Sequence, residues 1–157
     1  MIRTGLGFDV HAFDAGRSLV LGGVVIPDTP GLAGHSDADA LSHAIADALL
    51  GAAGLGDLGE RFPASAEWKD ASSLDILREC ASVTRGAGWN ITNVDATIIA
   101  ERPRLAPYRD DMIESLAAAL DVAPDRVSVK ATTTDGMGFT GRGEGIGALA
   151  VVTISAD

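Results

Sequence analysis

The sequence predicts an α/β fold of the α+β-like kind, a single domain over residues 1–157 in which helices pack on a mixed β-sheet. Three observations indicate it. The chain has 157 residues, which is the usual size of one domain. Hydrophobic residues make up 46% and charged residues 22% of the chain, as in globular proteins. Segments with strand-like and helix-like patterns interleave along the sequence.

Five segments have the composition of strands. The second is rich in β-branched residues around Gly22 and Gly23 and is expected to end at Pro27. The fifth is a long apolar run, typical of a buried strand. The predicted strands cover residues 3–11, 18–26, 93–100, 126–132 and 146–155.

Three segments carry apolar residues at helical spacing and are predicted to be helices. They cover residues 37–53, 72–86 and 107–120. Ser36 and Asp39 form a candidate capping box for the first helix, and Gly54 lies just past its end. The polar, aperiodic stretch 60–71 is expected to form a flexible loop.

The charge and cysteine content exclude several classes of protein. A net charge of −10 argues against non-specific nucleic-acid binding, which depends on a basic surface. The same charge means that a phosphorylated substrate needs metal ions, backbone amides or local cations. Cys80 is the only cysteine, so an internal disulfide and a cysteine-cluster metal site are excluded. The N-terminus lacks a basic segment followed by an apolar stretch, so a cytoplasmic location is expected.

Two histidines lie in patterns that suit a metal site. Asp9 and His11 are two apart in a predicted strand, so both point to one face. His43 lies in the first predicted helix, with Asp39 and Asp47 four residues away on the same helical face. Either carboxylate is a candidate acceptor for the second N–H of a ligating histidine. The structural alternative for Asp9 and His11 is a surface aspartate beside a half-buried histidine. The alternative for His43 is a solvated polar stripe on a surface helix, although the apolar residues of that helix leave little other polar face.

A glycine-rich segment, residues 136–147, follows the fourth predicted strand. It matches the dinucleotide-binding pattern G-x-G-x-x-G, but no helix is predicted after it, so that interpretation is rejected. Thr132, Thr133, Thr134, Asp135 and Arg142 surround the loop, and these groups suit a phosphate and a hard cation. A tight turn between two core strands is the structural alternative.

Four blocks of the sequence together resemble the 2-C-methyl-D-erythritol 2,4-cyclodiphosphate synthases, in order and over essentially the whole chain. The blocks are residues 7–11 (GFDVH), 34–39 (GHSDAD), 56–59 (GDLG) and 131–145. The resemblance implies a homotrimer with active sites between neighbouring subunits. It implies the substrate 4-diphosphocytidyl-2-C-methyl-D-erythritol 2-phosphate, whose 2-phosphate attacks the β-phosphate so that CMP leaves. It also implies one Zn²⁺ per subunit and a Mg²⁺ or Mn²⁺ bridging the substrate diphosphate.

The resemblance also implies the roles of particular residues. The zinc ligands of the family fall on Asp9, His11 and His43, and the ligand of the second metal falls on Asp135. The transition-state-stabilising positions fall on His35 and Thr133. The implied substrate contacts are Asp9, Val10, His11, His35, Ser36, Asp57, Leu58, Gly59, Phe62, Ala100, Glu101, Arg102, Pro103, Arg104, Leu105, Ala106, Thr132, Thr133, Thr134, Asp135, Phe139 and Arg142.

The chain departs from the family pattern at two places. Asp135 stands where glutamate is common, and Ala64 and Ala66 replace two aspartates of the loop at residues 62–66. Two other functions remain as alternatives, a zinc-dependent phosphohydrolase and a non-catalytic trimer that binds diphosphates. In the cyclase the nucleophile is a phosphate already ionised at neutral pH, so catalysis reduces to positioning and charge stabilisation.

Overall fold

The computed structural model describes residues 1–156, and within them five strands form one mixed sheet. The strand order is β2-β1-β5-β3-β4, with β3 and β4 parallel and every other neighbouring pair antiparallel. This confirms the predicted mixed sheet. The strands are β1 (Ile2–Leu21), β2 (Val24–Leu32), β3 (Asn90–Ile99), β4 (Val127–Thr132) and β5 (Gly145–Ser155).

Three longer helices cover one face of this sheet. The helix at residues 40–53 packs on β1 and β5, the helix at residues 73–86 packs on that first helix, and the helix at residues 109–120 packs on β4. No helix within residues 1–156 is long and apolar enough to cross a membrane. The helices are α1 (Ala40–Ala53), α2 (Leu58–Arg61), α3 (Ser73–Gly86), α4 (Arg109–Leu120) and α5 (Gly138–Gly141), of which α2 and α5 are single turns.

The predicted strand at residues 18–26 is wrong, because a hairpin turn divides it. Gly22 and Gly23 form the turn with φ of +56° and +74°, the left-handed backbone that a tight turn between twisted strands requires. β2 then continues through Pro27 instead of ending there. It is the edge strand of the sheet, where a proline breaks no hydrogen bond to a further strand.

Two predicted helices begin too early. Helix α1 begins at Ala40 with Asp39 as its N-cap, and Gly54 ends it in the left-handed conformation, as predicted. Helix α4 begins at Arg109, after a 3-10 turn at residues 106–108. The predicted loop at 60–71 includes the end of α2 and a 3-10 turn at Ala66–Trp68.

The two faces of the sheet differ sharply in exposure. Residues of β3, β4 and β5 alternate, and the inward set, such as Val94, Val129 and Val152, is buried under the helices. On the opposite face Leu6 and Phe8 of β1 remain 67% and 54% exposed. Their partners in β5, Val151 and Leu149, lie directly across the strand pair and are also exposed. The outer face therefore carries an apolar patch of four side chains.

The buried carboxylate of Asp39 joins the hairpin to helix α1. It accepts hydrogen bonds from the backbone N–H groups of Gly22 and Gly23 at 2.9 and 2.7 Å. It also accepts from the N–H and hydroxyl of Ser42 at 3.0 and 2.7 Å. All four donors lose their partner if this one side chain is removed.

We therefore expect Asp39→Ala to reduce the free energy of unfolding by about 3–5 kcal/mol, since it removes a helix cap and leaves two turn N–H groups unpaired. Urea denaturation at neutral pH measures the change. Asp125→Ala, at an exposed aspartate, is the matched control and should shift the value by less than about 0.5 kcal/mol. A loss below about 1 kcal/mol for Asp39→Ala would contradict this role.

Candidate functional site

Helix α1 lies unusually close to strand β1, and two glycines make that possible. A Cβ added to Gly5 would lie 2.0 Å from the carbonyl oxygen of Ala48, and one added to Gly7 would lie 2.0 Å from that of Ala44. Alternate residues of a strand share a face, so Asp9 and His11 follow these glycines on the side that faces the helix. The helix thus brings His43 against both.

Asp9, His11 and His43 converge as the sequence predicts. One potential ligand atom from each lies within 4.8 Å of the others. Asp9 Oδ2 is 2.8 Å from His11 Nε2 and 3.2 Å from His43 Nδ1, and the two ring nitrogens are 3.4 Å apart. Among residues 1–156 this is the one cluster of three or more potential metal ligands.

In each histidine one ring nitrogen faces the cluster (His11 Nε2 and His43 Nδ1, the inner nitrogens) and the other faces away from it (the outer nitrogen). Hydrogen bonds to the outer nitrogens leave the inner nitrogens unprotonated, as metal binding requires. His11 Nδ1 lies 2.7 Å from the carbonyl oxygen of Ala33, which can only accept, so Nδ1 carries the proton. His43 Nε2 lies 2.8 Å from the hydroxyl oxygen of Ser73. Each inner nitrogen is then free to offer its lone pair to the cluster. Two imidazole nitrogens and one carboxylate oxygen suit Zn²⁺ with an open fourth position.

The electrostatics of the cluster favour a cation. Burial raises the pKa of Asp9, but hydrogen bonds and charges from His11 and His43 outweigh burial and hold that pKa below its usual value. Burial lowers the pKa of His11, but the hydrogen bond to Asp9 and its negative charge outweigh burial and raise it. A positive charge placed among these three side chains is therefore stabilised.

Asp39 and Asp47 do not support His43, so that part of the prediction is wrong. The carboxylate of Asp39 is fully engaged by the hairpin turn and the start of α1. Asp47 accepts a hydrogen bond from the backbone N–H of Leu58 at 3.1 Å. That bond holds Asp57 and Gly59, two predicted substrate contacts, in the wall of a pocket shared with Asp9 and His43.

A cavity of about 180 Å³ adjoins the metal cluster. The segment that the sequence predicts as a loop covers it and contributes Phe62, Ala64 and Trp68 to its wall. Phe62 and Trp68 meet edge to face, with ring centroids 4.8 Å apart. His35 Nε2 lies 2.6 Å from the backbone oxygen of Ser65, so this predicted catalytic side chain contacts the covering segment. The remaining wall residues are His11, His35, Ser36, His43, Leu58, Gly59 and Ile76.

The predicted substrate contacts of segments 100–106 and 132–134 also come together, in a separate pocket of about 380 Å³. Glu101 organises one side of it, because Oε1 accepts from the backbone N–H groups of Thr134 and Gly136 at 2.9 and 3.2 Å. These bonds lower the pKa of Glu101. Glu101 therefore shapes the threonine loop. The pocket wall consists of Ala100, Glu101, Pro103, Arg104, Leu105, Ala106, Ala131, Thr132 and Thr133.

The two groups of predicted residues lie far apart within one chain. Asp9 pairs with Ala148 in β5, Ala148 with Ile98 in β3, and Ile98 with Ala131 in β4. Three strand spacings of about 4.8 Å put the threonine loop about 14 Å from the metal cluster.

Other predicted residues have settings of their own. Asp135 is exposed and has a φ of +53°, and Thr133 donates a hydrogen bond to its carboxylate at 3.4 Å. The guanidinium of Arg142 pairs with Glu144, with Nε 2.7 Å from Oε1. Val10 lies on the sheet face opposite Asp9 and His11, as strand alternation requires. Phe139 is 41% exposed.

Two side chains behind His43 carry no signal of this role in the sequence: Ser73, whose hydroxyl contacts His43, and Asp37, which contacts Ser73. Ser73 is fully buried at the start of α3 and donates its hydroxyl hydrogen to Asp37. No periodic pattern links position 73 to position 43, because their contact depends on how α3 packs against α1. The only local signal is that Asp37 lies beside the predicted contact Ser36.

Comparison with known proteins places these features in a family. The YgbB family model matches residues 2–155. A relative from Moorella thermoacetica, named 2-C-methyl-D-erythritol 2,4-cyclodiphosphate synthase, is 60% identical over 98% of this chain and 94% of its own. The bifunctional IspDF of Campylobacter jejuni superposes with a TM-score of 0.96 at 42% identity, covering 100% of this chain and 43% of the larger one. An IspF of Plasmodium falciparum, solved as its CDP complex, has a TM-score of 0.87 at 31% identity over 99% of this chain and 97% of its own.

Proposed function

This chain belongs to the YgbB family, and on that premise we propose that it is a 2-C-methyl-D-erythritol 2,4-cyclodiphosphate synthase. The enzyme converts 4-diphosphocytidyl-2-C-methyl-D-erythritol 2-phosphate to the 2,4-cyclodiphosphate and CMP, a step of isoprenoid precursor biosynthesis by the non-mevalonate pathway. The observation that carries the proposal is the convergence of Asp9, His11 and His43 beside a cavity whose wall includes predicted substrate contacts.

The reaction requires positioning more than acid–base chemistry. An oxygen of the 2-phosphate attacks the β-phosphorus, the bond from that phosphorus to the bridging oxygen breaks, and CMP leaves with that oxygen. The nucleophile is ionised at neutral pH, so no side chain has to remove a proton. The apolar side chains of Leu58, Phe62, Trp68 and Ile76 around the cavity limit access of competing water.

The cations in the proposal offset the negative charge of both partners. One Zn²⁺ per chain would be held by Asp9 Oδ2, His11 Nε2 and His43 Nδ1. The second ring nitrogen of each histidine is already hydrogen-bonded. A bound divalent cation supplies Lewis-acid stabilisation of charge on phosphate oxygens. Asp135 is a single exposed carboxylate, so it would hold Mg²⁺ or Mn²⁺ jointly with substrate phosphates.

The other predicted residues act on the two ends of the substrate. His35 and Thr133 would donate hydrogen bonds to phosphate oxygens, and His35 would first have to exchange its bond to the Ser65 backbone. Ser36, Asp57 and Gly59 would contact the methylerythritol part, since they line the pockets beside the metal cluster. The segments 100–106 and 132–134 would hold the cytidine and its phosphates.

A homotrimer would bring together the two binding regions for the substrate, the metal cluster and the nucleotide pocket. The metal cluster and the nucleotide pocket are about 14 Å apart along one sheet. The apolar patch of Leu6, Phe8, Leu149 and Val151 is typical of a surface that another subunit covers. We therefore infer that each active site joins the metal cluster of one subunit to the nucleotide pocket of its neighbour.

A cytoplasmic location is consistent with the chemistry of the chain. Cys80 is buried, and burial raises the pKa of its thiol to about 12, so it stays a protonated, inert thiol. The fold thus needs no oxidising compartment.

Product analysis tests the proposed function. Incubation with the cytidine-diphosphate substrate, Zn²⁺ and Mg²⁺ should release one CMP for each cyclic diphosphate, both resolved by phosphorus NMR. In ¹⁸O-labelled water neither product should acquire label, because no water enters the reaction. Free phosphate carrying ¹⁸O would instead indicate a phosphohydrolase, and the absence of turnover would indicate a binding protein.

The role of Asp135 is tested by two substitutions. Asp135→Ala should lower kcat by about two orders of magnitude at low Mg²⁺, because it removes a ligand of the cation that would stabilise the negative charge developing on the leaving group. Raised Mg²⁺ or Mn²⁺ should recover part of the loss. Asp135→Glu, which keeps the carboxylate, should retain kcat and is the matched control. Normal turnover of Asp135→Ala at low Mg²⁺ would exclude Asp135 as a metal ligand.

A mixing experiment tests the shared active site. Asp9→Ala and Asp135→Ala chains should each have little activity alone. When they are dissociated, mixed equally and reassembled, a site is intact if Asp9 comes from one subunit and Asp135 from its neighbour. Random assembly predicts recovery of about a quarter of wild-type activity. No recovery in mixed trimers would place each active site within one chain.

A further inference from the structure

The start of helix α3 contacts the side of His43 that faces away from the metal cluster. His43 Nε2 points away from Asp9 and His11 and lies 2.8 Å from Ser73 Oγ. The Ser73 hydroxyl in turn donates to Asp37 Oδ1. Ser73 is fully buried, so its hydroxyl has no access to bulk water as an alternative partner. Three side chains from three segments thus form one continuous chain of hydrogen bonds.

The direction of each hydrogen bond in this chain is determined by chemistry. Asp37 as a carboxylate can only accept, so the hydroxyl hydrogen of Ser73 points toward it. The lone pairs of Ser73 Oγ are then left to accept, so the proton of the His43 ring lies on Nε2. His43 Nδ1 is left unprotonated, facing Asp9 and His11.

Backbone groups at the start of α3 and just before it hold Asp37 in place. Its Oδ2 accepts from the N–H of Ser73 at 3.0 Å, and its own N–H donates to the carbonyl of Ala71 at 3.1 Å. Ser72 is the N-cap of α3, yet its side chain makes no capping hydrogen bond. Asp37 therefore supplies the missing cap from elsewhere in the chain, and the helix N-terminus stabilises its negative charge.

A second hydroxyl near His43 is a weaker candidate for the same role. Ser36 Oγ lies 3.2 Å from His43 Nε2, longer than the Ser73 contact. It also accepts from the backbone N–H of Ala38 at 3.2 Å. Of these two hydroxyl groups, only that of Ser73 connects His43 Nε2 to a carboxylate.

We propose that Ser73 and Asp37 are positioning residues that fix the tautomer and ring orientation of His43 and raise its affinity for a divalent metal. The proposal rests on the metal site of the proposed function and adds the two side chains that tune it. A carboxylate that acts on a ligating histidine through a hydroxyl group makes the inner nitrogen a stronger donor, because the proton on the outer nitrogen is partly withdrawn.

The test measures metal binding apart from turnover. Ser73→Ala should weaken Zn²⁺ binding by about 10- to 100-fold in competition with a chromophoric chelator, and Asp37→Asn should weaken it as well. The visible bands of the Co²⁺-substituted protein should shift in both variants. Ser72→Ala, the adjacent serine without a side-chain capping bond, is the matched control and should bind as wild type does. Melting of the metal-free proteins verifies that each variant is folded at the measuring temperature.

A double variant tests whether Asp37 acts on His43 through Ser73. If Asp37 acts through Ser73, then Ser73→Ala with Asp37→Asn should bind Zn²⁺ no more weakly than Ser73→Ala alone. Additive losses would overturn the proposal, as would wild-type affinity and an unchanged Co²⁺ spectrum in Ser73→Ala. An equal loss in Ser72→Ala would also overturn it, by assigning the effect to the start of the helix.

Comparison with His43→Ala separates this proposal from the proposed function. If His43→Ala loses the metal while Ser73→Ala binds it normally, the metal site stands and the positioning role is rejected. If His43→Ala keeps stoichiometric metal at wild-type affinity, the metal site itself is rejected, and the positioning role is rejected with it.

Discussion

The close approach of helix α1 to strand β1 is the constraint on which the candidate site depends. The helix rests on the backbone of Gly5 and Gly7, where even a methyl group would overlap the carbonyl oxygens of Ala48 and Ala44. Alanines on the helix and glycines on the strand allow this contact, and tight packing then makes it rigid. Asp9 and His11 continue the same face of the strand, so the distance from helix to strand sets the distances among the metal ligands.

The rest of the site follows from what packs around that contact. Helix α3 lies against α1 and brings its N-terminal turn to the outer nitrogen of His43. Asp39 fixes the start of α1 to the hairpin, and Asp47 fixes the segment with Asp57 beside the cluster. The carboxylates of Asp39 and Asp47 are thereby committed to backbone N–H groups, which under the proposed function leaves fewer free negative charges beside a phosphorylated substrate.

Local patterns predicted most of the fold, and the pairing of one strand with one helix predicted the cluster of Asp9, His11 and His43. The alternation in β4, the long apolar run of β5 and the apolar spacing in α3 are local properties, and these elements formed where expected. The hairpin at Gly22 was not predicted, because the apolar residues at the end of β1 and at the start of β2 form one nearly continuous apolar segment. Asp39 was assigned to His43 from helical spacing alone, but a capping position turns its side chain back toward the helix start. Ser73 was beyond prediction, because its contact with His43 spans 30 positions and exists only after α3 packs.

The most direct test of this account is a zinc-edge anomalous difference map from crystals of the zinc-loaded protein. We expect one strong peak per chain, bonded to Asp9 Oδ2, His11 Nε2 and His43 Nδ1 at about 2.0–2.2 Å. We also expect helix α1 to stay against Gly5 and Gly7. A peak at another site, no peak among these side chains, or a His43 ring turned to bind through Nε2 would contradict this account.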